Sequence, residues 1–165
     1  MATEQSVTDE QGEQVRFESQ LRNGAALMAL AGIAFVGYGI VFLVLNFVGS
    51  GFELGVSTLA GMTAADLDPT VAYYISHLHV ATAAFIISTG IAVAGLSWYG
   101  VRQGLTWAWA TAIVSAVVGL ALALPMHWTG DAFAHDWVTH LGPIYLATIV
   151  FIVGVVLSYR GVQTT

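Results

Sequence analysis

The chain has 165 residues, of which 57% are hydrophobic and only 8% charged, and its mean hydropathy is +0.78. An ordinary soluble domain carries about 25% charged residues, so this composition excludes disorder, a nucleic-acid binder and a typical soluble enzyme. The net charge of −6 argues further against nucleic acid or anionic headgroups as partners. The absence of cysteine excludes disulfides, thiolate metal sites, iron–sulfur clusters and c-type haem attachment.

The first segment, residues 1–24, is polar and acidic. It lacks the basic start and apolar run of a cleavable signal peptide and reads as a cytoplasmic tail, with a short amphipathic stretch near Val15–Leu21. A transmembrane domain over 25–160 follows, and 161–165 form a short C-terminal tail. A bilayer span needs about 20 mostly apolar residues. Four stretches qualify: Ala25–Val48, Ala72–Leu96, Thr106–Leu124 and Leu141–Tyr159, none holding an Asp, Glu, Lys or Arg. Each must be helical, because lipid offers the backbone no hydrogen-bond partners.

All four basic residues fall on one side of such a topology. Arg16 and Arg22 precede the first span, Arg102 sits between the second and third, and Arg160 follows the fourth. The positive-inside rule makes that side cytoplasmic and both termini inner. The outer segments, roughly Gly49–Val71 and Pro125–Thr139, carry acids and no base. Trp98, Tyr99, Trp107 and Trp109 suit the inner interface; Tyr73, Tyr74, Trp128 and Trp137 suit the outer one. The expected fold is therefore all-α, a polytopic up-down four-helix transmembrane bundle in the plasma membrane. Small residues mark its expected contact faces: Gly32 and Gly39; Ala84, Ser88, Ala92 and Gly95; Ser115, Gly119 and Ala123; Ala147 and Gly154.

The informative polar residues are the histidines. His77, His79, His127, His135 and His140 all fall on the expected outer side. Helical spacing aligns His77 with Ala81, Ala84 and Ser88, and His140 with Ala147 and Gly154. His127 extends the Ser115–Gly119–Ala123 ridge if the third helix continues through Pro125. His77, His127 and His140 are thus expected to converge near the outer boundary. His79 lies about 200° from His77 around a helix, so the two do not ligate one ion together. Asp131 stands four residues before His135, and Asp136 four before His140, spacings that let a carboxylate orient or supplement an imidazole ligand. Imidazole with carboxylate and without thiolate suits copper or zinc, or non-haem iron.

The expected metal ligands are His77, His127, His135 and His140, with Asp131, Asp136 and His79 as further ligands or supports. Three other readings stand beside this one. His77 and His140, at matching depth on parallel spans, could be the axial pair of a b-type haem. The set could respond to pH, or be plain interfacial residues that hold no ligand. Elsewhere the signals are weak. Thr63 and Asp66 have capping-box spacing with Asp in the Glu position. Asp66 and Asp68 are too few for a calcium loop. No nucleotide-binding or zinc-protease motif occurs.

The turn Gly100-Val-Arg102-Gln-Gly104-Leu-Thr-Trp107-Ala-Trp109 resembles the inner turn of many small, uncharacterised four-span membrane proteins of bacteria and archaea. That turn reads basic residue, any residue, Gly, two residues, Trp-Ala-Trp. The resemblance implies the four-helix architecture and carries no activity. Function is thus expected to be metal handling or metal-assisted redox chemistry at the outer face. The alternative is a non-catalytic subunit packed in the bilayer against copies of itself or a larger membrane complex. No residue set identifies an enzymatic reaction.

Overall fold

The computed structural model describes residues 2–48, 56–59, 61–128 and 133–163, and no side chains for 2–10, 56–59, 64, 126 and 133–135. Its framework is helical: α1 (Ala2–Val48), α2 (Pro69–Gly95), α3 (Thr106–Ala123), the single turn α4 (Trp137–His140) and α5 (Gly142–Gln163). Four segments, Gln11–Val48, Pro69–Gln103, Thr106–Ala123 and Gly142–Gln163, are long and apolar enough to cross a membrane. The acidic tail is not a separate element. It continues the helix of the first span without a break, and most of its described side chains are exposed.

The other boundaries follow local chemistry. Asp68 caps α2 by accepting from Thr70 N at 2.8 Å, and Pro69, which has no N–H to satisfy, opens the helix. Past Gly95 the chain widens into a π-turn (Leu96–Gly100), tightens into a 3-10 turn (Val101–Gln103) and reverses at Gly104, whose φ is +78°. The Arg102 guanidinium lies 4.4 Å from the Trp98 ring centroid, so the turn's one charge rests on an aromatic face. Beyond α3, Pro125 sits in a 3-10 turn (Leu124–His127) that prolongs the helix direction. One departure from an all-helical reading is a two-stranded antiparallel ribbon, β1 (Val56–Leu59) with β2 (Phe133–His135). It joins the two inter-helix segments at the histidine end.

Helix α1 is the hub. Buried residues make up 44% of its most apolar window, against 17% for α3. Lipid removes the hydrophobic drive for helix association, so close backbone approach must supply the contact. It does so at two glycine pairs. A Cβ on Gly90 would come within 2.7 Å of Gly32 O, and one on Gly154 within 2.7 Å of Gly24 O. These crossings seat α1 against α2 and α5.

The expected contact faces hold for α1 and α5 and need correction for α2 and α3. Ala84, Ser88 and Ala92 are exposed, whereas Ala83, Gly90 and Val93 are buried. In α3 the buried stripe is Ala108, Ala112 and Ala116, and Gly119 faces open space. The outward hydroxyls of α2 are satisfied within their own helix, Ser88 donating to Phe85 O and Thr82 to Leu78 O. Small size alone therefore does not mark the inner face.

Packing is uneven along the bundle axis. At the arginine end, Leu21, Met28, Val93, Val101, Ala108 and Phe151 share one continuous core. There the fully buried Ser158 hydroxyl donates to Gly154 O at 2.8 Å and accepts from the Trp109 indole at 3.1 Å. At the histidine end the buried cluster shrinks to Tyr38, Phe42 and Ala83, with Leu43, Ile86 and Ile144 against it.

Candidate site: a paired imidazole at the histidine end

Two of the expected ligands meet. His127 Nε2 and His140 Nε2 are 3.0 Å apart, with ring centroids 5.1 Å apart, so the rings face each other nitrogen first. His140 is only 7% exposed, close to full burial.

Each ring is placed by its local backbone. The 3-10 turn at Pro125 carries His127 one turn beyond α3, where its Nδ1 lies 3.2 Å from Ala123 O. A carbonyl can only accept, so Nδ1 carries the proton. With Nδ1 protonated, a neutral His127 ring would offer its Nε2 lone pair across the 3.0 Å gap, and a His140 Nε2–H would be its donor. His140 ends the short turn α4, which Asp136 caps by accepting from Val138 N at 2.8 Å and Thr139 N at 3.1 Å. The next residue, Leu141, is fully buried and anchors the turn. From α1, the buried Tyr38 hydroxyl donates to His140 O at 3.1 Å.

Among the remaining expected residues, His77, His79 and Asp136 fall elsewhere. His77 is exposed on the outward face of α2 and does not converge with the pair. The sequence reading aligned it with Ala84 and Ser88, and the face that α2 turns to α1 is the other one. That face carries His79, whose ring stands edge-on to Phe42 with centroids 5.6 Å apart. Phe42 in turn lies 6.2 Å from Tyr38, centroid to centroid. The Asp136 carboxylate accepts helix-cap bonds, a local use that its spacing from His140 did not reveal. His135 lies in β2, with its side chain outside the description, and Asp131 lies outside the described residues. Among the described residues no group of three His, Asp or Glu side chains is disposed to hold one metal ion. Asn46, near the same end, donates to Ser76 Oγ at 2.8 Å and ties α1 to α2.

Sequence reasoning missed the partner of the Tyr38 hydroxyl, His140 O. The partner is a main-chain carbonyl, which leaves no trace in side-chain spacing. It also missed Ala123, whose backbone oxygen sets the tautomer of His127. The signal for that was Pro125, which forces the turn beyond α3 to tighten.

The acids flanking α2 behave as turn and cap groups. Asp66 Oδ2 accepts from Thr63 N at 2.8 Å and from Thr63 Oγ1 at 2.7 Å. Backbone and side-chain hydrogen bonds from Thr63 hold the Asp66 carboxyl below its ordinary value, and those from Thr70 do the same for Asp68.

Comparison with protein-family models, curated proteins and solved structures finds no match to this chain.

Proposed function

We propose that this is a small multi-pass plasma-membrane protein, with both termini cytoplasmic, that binds a transition metal ion at its outer end through His127 and His140. The observation that carries the reading is the nitrogen-first imidazole pair at 3.0 Å. Ligands about 2.0–2.1 Å from a tetrahedral zinc ion stand roughly 3.3 Å apart, so a few tenths of an ångström of opening would fit the pair to such an ion. Nδ1 of His127 is held by a backbone carbonyl, the support that metal-ligating histidines commonly have. His140 would move its proton from Nε2 to Nδ1 to free the second lone pair. Copper or zinc suits this donor set best, with iron a weaker fit.

The pair supplies two ligands. His135 and Asp131 belong to the segment joining His127 to His140 and are the proposed source of the others. The exposure of His77 removes it from the proposed set. A haem held by His77 and His140 draws no support from this geometry, because His140 Nε2 is turned to His127. The accessory-subunit reading rests on the broad apolar surface of α2, α3 and α5 and calls for no metal.

Elemental analysis of detergent-purified protein tests the proposal, run beside His127→Ala and His140→Ala. Near-stoichiometric copper or zinc that is lost in both variants, with helix content unchanged, is the expected result. Metal-free protein that also fails to take up added Zn(II) or Cu(II) would overturn it and leave the subunit reading. Acidification should weaken binding, because ligating imidazoles must be neutral.

A further inference from the structure

Below the imidazole pair lies an apolar cavity of about 260 Å³, walled by α1, α2, α3 and Ile144 of α5. Phe35, Tyr38 and Phe85 give it three aromatic walls, and Ile86 and Leu120 close its sides. It opens between α2 and α3, where Thr82, Phe85 and Gly119 are all exposed. A side chain on Gly119 would meet nothing within 4 Å. In a membrane that opening faces lipid, so an occupant would arrive laterally from the bilayer.

We propose that this cavity binds a bilayer-dissolved phenolic ring: one or two fused apolar rings carrying a hydroxyl group. A cavity of about 150 Å³ lined by apolar side chains holds benzene, so the larger volume suits a bicyclic ring. An acyl chain gains little by leaving other acyl chains for an apolar pocket. An aromatic ring gains edge and face contacts with three aromatic side chains. A hydroxyl gains an acceptor that hydrocarbon lacks. The Thr82 hydroxyl donates its proton to Leu78 O at 2.8 Å, so towards the cavity it can only accept. Opposite Thr82, the ligand is therefore the donor. The proposal stands independently of the metal reading.

The test is photolabelling of the full chain in nanodiscs with 3-trifluoromethyl-3-phenyldiazirine, mapped by mass spectrometry. Inward-facing Phe35 and Ile86 should label saturably, and excess 1-naphthol should reduce that label to background. Labels on the exposed Leu146 and Val153 should not change. Gly119→Phe should abolish the inward labels, and Thr82→Val should remove the advantage of 1-naphthol over naphthalene as competitor. Should Gly119→Phe fail to fold, competition on the native chain and on Thr82→Val decides the matter. Inward labelling that is absent, that 1-naphthol does not reduce, or that dodecane reduces equally would overturn the proposal; the last result would make the cavity an acyl-chain groove.

Discussion

Asp68 shows how a single side chain does work that spacing alone misassigns. Beside Asp66 it looks like half of a cation site, yet its carboxylate accepts from Thr70 N and starts α2. Those hydrogen bonds are stronger to the ionised form and lower its pKa from the ordinary 3.8. Its contribution is therefore complete above that ordinary value and disappears as pH falls through the lower folded value. Amide protection at Thr70–Ala72, corrected for intrinsic exchange, should be flat at mild pH and drop only below about 3.8. Asp68→Asn keeps a capping oxygen and should abolish this acid response; a drop beginning well above that value would contradict the assignment. The same residue-level logic governs His127 and His140. The clustering of histidines at one end is visible in the sequence. Which two touch is decided by the turn at Pro125 and by a carbonyl of α3, and neither is encoded in side-chain periodicity.

At the level of helices, the four apolar segments were legible because their length and lack of charge admit one reading. Their facing was only half legible. Gly32, Gly39, Ala147 and Gly154 lie where the spacing put them, because a helix crossing needs backbone on both sides and these glycines provide it. Ala84, Ser88 and Ala92 do not, since alanine and serine are also at home facing lipid when their polar atoms bond within the helix. The β1–β2 ribbon was not legible, because its pairing partners are separated by two helices. The crossings yield a graded expectation. Gly90→Ala and Gly154→Ala each drive a Cβ to within 2.7 Å of a facing carbonyl oxygen, and each should cost about 1–3 kcal/mol. Gly37→Ala meets nothing within 4 Å and should be neutral or stabilising by up to about 1 kcal/mol. Reversible unfolding of the three variants in mixed micelles measures the difference, and equal effects would refute the proposed hub role of α1.

For the whole molecule, the lack of native cysteine makes orientation directly testable. Single cysteines placed at Met62 or Trp128 should react with an impermeant maleimide added to intact cells. Cysteines at Gln11 or Gln163 should react only after lysis. The reverse pattern would turn the protein over and place the imidazole pair on the cytoplasmic side. The dense core lies at the arginine end and the looser packing, the cavity and the imidazole pair at the other, so the two lie apart along one axis. Helix α1 runs the full length of that axis and beyond it. Its 47 residues, at 1.5 Å each, make a rod of about 70 Å, more than twice a bilayer's hydrocarbon thickness. The same rod carries Tyr38, which grips the backbone of His140. Pinned to α2 and α5 by its glycine crossings, that rod acts as a keel, fixing the height at which the His140 backbone is held.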